Sequence, residues 1–258
     1  MDETLLRALG VSELRYFGTT GSTNADALAW AEAGAPDGAL VLADAQTAGR
    51  GRSGRRWLTP PGAGLAFSLV LRPTPAEAAR MTYFTALGAL AVCQALEGYG
   101  LQAQIKWPND VLIGRRKVSG LLVETTWLEH LPQAVVIGIG LNVARAAVPP
   151  ADQLTFPATS LEEALGFAPQ RWEVLVEIVR WLFAWRPRLS GAEFRPAWEQ
   201  ALALRGELVR LEPSTGPAWH GTIQGIDEDG SLRLLRQDGQ TVSIPAGEIH
   251  LRPISEER

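Results

Sequence analysis

The chain has 258 residues, 46% of them apolar, with a formal net charge of −4 and a pI near 5.5. That length suits one large domain, or a domain near 200 residues with a small appendage, and the acidic balance argues against a protein whose main task is to coat nucleic acid. A single cysteine, Cys93, excludes a disulfide framework. The scattered His130, His220 and His250 leave no cluster for a structural metal or a histidine-based triad. No secretory signal opens the chain and no apolar run approaches the ~18 residues of a membrane span, so a soluble cytoplasmic protein without a membrane partner is expected.

In chain order, the first twenty residues read as a short helix, a strand at 13–17 and a loop. Ser22 or Thr23 then suits the cap of a helix over 24–33, ended by Gly34 and Pro36. A strand at 40–43 leads into an arginine- and glycine-rich loop from Gln46 to about Gly64, and a strand at 65–71 precedes a long helix over 76–96. Cys93 falls inside that helical pattern, which suits a buried structural thiol. Strands are expected at 104–107 leading into 111–113, at 118–127 and at 134–143, and the turn at 114–116 suits a hairpin, making the sheet at least partly antiparallel. Residues 144–157 read as a loop. Trp172, Leu175, Val176, Val179, Leu182 and Phe183 recur at helical spacing as one core-facing stripe. After Arg205, short strands between Gly-containing turns suggest a small closed barrel of SH3 type.

Lysine and asparagine are scarce, and their positions are informative. The two lysines, Lys106 and Lys117, face twenty-two arginines and lie within one twelve-residue stretch; the three asparagines are Asn24, Asn109 and Asn142. Arginine is a planar fork and lysine a compact point charge, so a chain that drifts toward arginine keeps lysine where a point charge is needed. Codon bias in an Ala-, Gly-, Pro- and Arg-rich chain accounts for the scarcity but not for the clustering.

Four segments stand out. Gln46-Thr-Ala-Gly-Arg-Gly-Arg-Ser-Gly-Arg-Arg-Trp57 joins four arginines to three glycines, a combination that brings backbone amides and guanidinium forks to an anion, although it lacks the Gly-Lys-Ser/Thr ending of a P-loop. A solvated loop or an RNA-binding Arg-Gly string has the same composition. Lys106-Trp-Pro-Asn-Asp110 leads into a hairpin and Lys117, where the plainer reading is a solvated basic tip. Val135-Val-Ile-Gly-Ile-Gly-Leu-Asn-Val143 sets Gly138 and Gly140 on one strand face, which usually means that another group comes close. Gly21-Ser-Thr-Asn24 adds small polar groups at a helix start.

In this order the segments closely resemble the biotin–protein ligase family, over nearly the whole chain. The resemblance implies an α/β catalytic domain, with a mixed, largely antiparallel sheet flanked by helices, over residues 1–203, and an SH3-like C-terminal domain over 204–258. It implies formation of biotinyl-AMP from biotin and Mg-ATP, then transfer of biotin to a lysine of a biotin carboxyl carrier protein or domain. Ser22, Thr23, Asn24, Gln46, Arg50, Gly51, Arg52, Lys117, Gly120 and Gly138 would contact biotin or its adenylate. Arg52, Arg55, Trp57, Lys106, Asn109 and Asn142 would lie on the nucleotide side. Lys117, Arg50, Arg52 and Asp110 are the catalytic candidates; no metal ligands are assigned. Ser53 stands where an arginine can occur in the family loop and Ser119 where alanine is common. About twenty residues precede Ser22, too few for the winged-helix domain of some family members, so no DNA partner is expected. Two copies could pair through an edge strand near 135–143. The alternatives are a lipoate-protein ligase or octanoyltransferase of the same fold and, more remotely, a nucleic-acid-binding module.

Overall fold

A computed structural model describes residues 3–213, 216–247 and 249–253. Its elements run α1 (Glu3–Ala8), β1 (Leu14–Thr20), α2 (Thr23–Glu32), β2 (Ala39–Gln46), β3 (Gly64–Leu71), α3 (Pro75–Ala78), α4 (Tyr83–Glu97), β4 (Ala103–Lys106), β5 (Asp110–Ile113), β6 (Arg116–Leu128), β7 (Leu131–Asn142), α5 (Leu161–Leu165), α6 (Arg171–Trp185) and α7 (Phe194–Gln200). The seven strands form one sheet in the order β1-β2-β3-β7-β6-β5-β4, in which β1 pairs parallel with β2 and every other neighbouring pair is antiparallel. The β5–β6 hairpin turns on Gly114 and Arg115, both at positive φ as a two-residue hairpin loop demands.

The two faces of the sheet are covered differently. On one, α4 and α6 bury Leu87, Leu90, Leu175 and Leu182 against Leu42, Phe67, Leu69 and Ile137 in the large core. Gly88 lets α4 sit close, since a Cβ there would come within 2.5 Å of Leu121. On the other face, Ala27, Trp30 and Ala31 of α2 cover Val41, Val70, Ala134 and Val136. Alternate residues of a strand share a face, so the next positions on this side of β7 are Gly138 and Gly140. At these positions valine gives way to glycine, and the surface beyond the N-terminus of α2 sinks into a depression.

The chain then continues as β8 (Leu208–Pro213), β9 (Trp219–Ile226), β10 (Leu232–Leu235), β11 (Thr241–Ile244) and β12 (Ile249–Pro253), one antiparallel sheet ordered β11-β10-β9-β8-β12. This is the expected small C-terminal unit of short antiparallel strands, in which the last strand, β12, returns to pair with the first, β8. The two sheets are tied together. Ala203 N–H donates to Ile105 O and Trp107 Nε1 to Gly230 O.

Three local expectations change. The helix expected over 76–96 is two helices, because a capping box between Thr74 and Glu77 starts α3 and the chain leaves the helix at Arg80 and Thr82, whose side chains donate to the carbonyls of Glu228 and Asp229. Ser22 is the N-cap of α2, but its side chain makes no capping bond. Thr23 N–H goes instead to Gln46 Oε1, a contact across the sheet that the local sequence does not encode. The edge expected near 135–143 is interior: β7 lies between β3 and β6, and its residues 135–141 pair with both.

Candidate active site

The depression is a cavity of about 490 Å³, within the usual size of a small-molecule site. Its floor is glycine. Gly120 and Gly140 are directly paired across β6 and β7, and Gly138 follows on the same face. Side chains from elsewhere occupy the room these glycines leave: a Cβ on Gly140 would come within 2.3 Å of the Trp57 indole, and one on Gly138 within 1.9 Å of Asn24 Oδ1.

The arginine-glycine loop folds into a small hairpin over one side of the cavity. Gly51 N–H donates to Arg55 O and Trp57 N–H to Gly49 O, and Gly49 has no room for a side chain because a Cβ would lie 2.4 Å from Trp57 O. The guanidinium groups are engaged by neighbouring acceptors. Arg50 Nη2 donates to Glu124 Oε2 at 2.6 Å, Arg52 reaches Asn109 Oδ1 at 3.5 Å and also Gly247 O, and Arg56 Nη2 donates to Thr47 O. Arg50, Arg55 and Arg56 remain exposed, so the loop is held in place by these bonds while open to solvent.

Opposite the loop, Asp110 at the start of β5 takes both lysines, Lys117 Nζ at 2.6 Å and Lys106 Nζ at 3.7 Å. Lys117 is displaced onto this side by a bulge in the β5–β6 register, and its ammonium also lies 5.4 Å from the centre of the Trp57 ring. It is not a solvated tip. Burial opposes ionisation of Asp110, but the ammonium groups of Lys117 and Lys106 outweigh it and hold the carboxyl below the usual range. Lys106 is the more deeply buried lysine; desolvation pulls its ammonium down to about 8 against the attraction of Asp110. Its Nζ lies 4.7 Å from the centre of the Phe156 ring.

A polar wall closes the end of the cavity next to α2. Asn24 Nδ2 donates to Leu122 O at 3.1 Å and to Glu124 Oε2 at 2.9 Å; Ser68 Oγ donates to Asn24 Oδ1 at 2.6 Å; and Gln46 Nε2 donates to Thr59 Oγ1. On the far side Asn142 Nδ2 is held by Thr159 O and Asn109 Nδ2 by Leu121 O.

All the residues that the sequence points to converge here: Ser22, Thr23, Asn24, Gln46, Arg50, Gly51, Arg52, Arg55, Trp57, Lys106, Asn109, Asp110, Lys117, Gly120, Gly138 and Asn142 line one cavity. Sequence reasoning missed the segment after β7, read as a plain loop, which supplies Ala147, Pro149, Leu154, Phe156 and Ala158 to the wall. The segment is fastened beside Lys117 by Lys117 N–H to Pro157 O and Thr159 N–H to Lys117 O. It also missed Arg252 of β12, which packs on Phe156 and donates to Thr155 O, and Glu124, which reaches Asn24 and Arg50 from behind. No local motif marks these residues. Cys93 lies far from this chemistry, buried in α4 with its thiol pushed up by desolvation. Among the described residues no group of three or more His, Cys, Asp or Glu could hold a metal ion, and no helix is long and apolar enough to cross a membrane.

Residues 17–142 match the Biotin/lipoate A/B protein ligase family, and residues 206–252 match the biotin protein ligase C terminal domain. The chain is 38% identical over 239 residues to the biotin–[acetyl-CoA-carboxylase] ligase of Paracoccus denitrificans, covering 89% of this chain and 97% of that protein. Its identity to the enzyme of the same name from Mycobacterium tuberculosis is 34% over 264 residues, 97% of this chain and 94% of the relative. Among solved structures, a biotin protein ligase from Aquifex aeolicus in complex with biotin and ATP superposes with a TM-score of 0.81 at 30% identity, over 94% of this chain and all of the other.

Proposed function

We propose the reaction of this cavity from one premise: the chain belongs to the biotin–protein ligase family. It is an ATP-dependent ligase that joins biotin to AMP and then passes the biotinyl group to a lysine of a biotin carboxyl carrier protein or domain, met in the cytoplasm. The observation that carries the assignment of roles is the Lys106–Asp110–Lys117 cluster facing the arginine hairpin across a glycine floor.

In the first half-reaction an oxygen of biotin's carboxylate attacks the α-phosphorus of ATP, a C–O–P mixed anhydride forms, and pyrophosphate leaves with the electron pair of the broken P–O bond. Two anions must approach each other, so repulsion is the obstacle. Arg50, Arg52 and Lys117 supply the opposing charge, already positioned, in the manner of phosphoryl transfer generally. Lys117 bridges biotin's carboxylate and the α-phosphate, because a compact ammonium follows charge as it moves from one to the other. Ser22, Thr23, Asn24, Gln46, Gly51, Gly120 and Gly138 take biotin. Arg55, Trp57, Lys106, Asn109 and Asn142 take the nucleotide.

In the second half-reaction the carrier lysine, its ammonium proton given up to solvent, attacks the anhydride carbonyl; the C–N amide bond forms, the acyl C–O bond breaks, AMP leaves with that electron pair, and the second amine proton passes to solvent. Asp110 is assigned to orienting that amine rather than deprotonating it. A carboxylate held below its usual range by two ammonium groups is a weak base, which favours the orienting role. The residues present do not offer magnesium a protein cage. Asp110 is the acidic residue of the cavity lining and already holds both lysines. Magnesium is thus carried on the phosphates of its substrate, MgATP.

The division near residue 204 belongs to this proposal, supported by the separate β8–β12 sheet. A homodimer formed through the sheet would use the outer edge of β6 past Leu122, where β5 no longer pairs with it. Pyrophosphate exchange tests the reading. Exchange driven by biotin and not by lipoate or octanoate is expected, and exchange driven by either of the latter instead would transfer the chain to that branch.

A further inference from the structure

The polar wall beside α2 holds one residue that the reaction above does not use. Glu124 lies on β6, outside the cavity lining, and its Oε2 accepts from both Asn24 Nδ2 at 2.9 Å and Arg50 Nη2 at 2.6 Å. The second hydrogen of the Asn24 amide goes to Leu122 O. A carboxylate and a backbone carbonyl accept and cannot donate, so together they admit one orientation of that amide, with the nitrogen toward β6 and the oxygen away from it. Asn24 Oδ1 then accepts from Ser68 and lies over Gly138, where even a methyl group would displace it. Asn24 is itself 4% exposed, so a wrongly turned amide would bury its oxygen against two acceptors.

We propose that Glu124 is a positioning residue that selects the acyl substrate: it locks the Asn24 amide so that this end of the cavity is an acceptor wall for a head group that donates N–H. The proposal rests on the biotin reading above. Biotin's cyclic urea carries two N–H donors, whereas the dithiolane of a lipoyl group and the alkyl end of an octanoyl group carry none. The family that matches this chain spans biotin and lipoate ligases, so the choice has to be made by the wall of the pocket. A pocket whose buried polar groups need a partner from the ligand rejects an analogue without one far more strongly than an apolar pocket rejects a change of shape. Arg50 donates to the same carboxylate oxygen, so Glu124 is held from the loop side as well as from α2.

The test uses calorimetric binding of biotin, and separately of ATP, to the full chain and three variants, with thermal unfolding of each. Glu124→Gln presents an amide that can donate or accept, so Leu122 O alone is left to hold the sense of the Asn24 amide. Biotin affinity should fall at least tenfold while ATP affinity and the melting temperature stay near those of the parent. Asn24→Asp alone sets carboxylate against carboxylate and should bind biotin worst. Asn24→Asp combined with Glu124→Gln gives the introduced carboxylate a donor in place of Glu124, although Leu122 O still opposes it, and should bind biotin better than Asn24→Asp alone. Parent-like biotin binding by Glu124→Gln, or no recovery in the double variant, would overturn the proposal and leave the ligase reading intact. Failure of the parent chain to bind biotin would overturn both.

Discussion

Lys117 Nζ lies 2.6 Å from Asp110 Oδ1, and the same carboxylate holds Lys106 on its other oxygen. The pairing predicts that both lysines resist replacement by arginine. A planar guanidinium on either side would need more room than a carboxylate shared by two compact ammonium groups offers. It also predicts different consequences for each member of the cluster.

Lys117→Arg should slow adenylate formation nearly as much as Lys117→Ala. Loss of a positioned contact to developing charge typically costs ~3–4 kcal/mol of barrier, on the order of 100- to 1,000-fold in rate. Pyrophosphate exchange measures it, and near-normal exchange by the arginine variant would remove Lys117 from its bridging role.

Asp110→Asn should slow adenylation and transfer by a similar factor, because it releases Lys117, which serves the first step, as well as the site that receives the acceptor. A transfer defect alone, read in single-turnover assays started from purified adenylate, would restore Asp110 as a specific base. The same variant should be destabilised, since breaking a buried pair on one side costs ~3–5 kcal/mol. The folded carboxyl is held below its ordinary value of 3.8, so its stabilisation is present above that pH and lost as the pH falls through the lower folded value. The difference in unfolding free energy between the parent and Asp110→Asn should therefore narrow in acid.

Lys106 is shifted well below an ordinary surface lysine by its burial. Its folded value is lowered from 10.5 to about 8, so between those two values the unfolded chain binds more protons, and stability gains from this group as the pH rises across the window. In the reading above it serves the nucleotide, whose phosphates need its charged form. ATP affinity should then decline as the pH climbs past about 8. Calorimetry of ATP binding from pH 7 to 9.5 checks this, with Lys106→Arg expected to bind more weakly but with a flatter pH profile.

Gly138→Ala and Gly140→Ala should separate the two ends of the cavity. The first drives a methyl group into Asn24 and should weaken biotin binding with little effect on ATP; the second displaces Trp57 and should weaken ATP more. Overpacking a tight site typically costs ~1–3 kcal/mol, a loss of about ten- to a hundredfold in affinity. Equal losses for both ligands in both variants would show that the floor acts as one unit.

What the sequence by itself determined was local. Alternation and turn residues located the strands of the large sheet, and the Gly114–Arg115 hairpin was legible because positive φ at both positions is a local demand. The run of Asn24, the arginine-glycine hairpin, the Lys106–Asp110 turn and Lys117 was legible because each motif keeps its chemistry within a few residues. The break between α3 and α4 was not legible, since the groups that end the helix are carbonyls of Glu228 and Asp229. Nor was the interior position of β7, because strand order is fixed by which faces bury each other rather than by the strand's own residues. Only the tertiary structure decided that Glu124 would stand behind Asn24, that Phe156 would cover Lys106, and that Arg252 would come from the last strand to pack on Phe156. These contacts join residues up to about a hundred positions apart or from separate sheets. Their energy comes from burial and from satisfying polar groups that folding removes from water, and neither exists until the chain has closed around them.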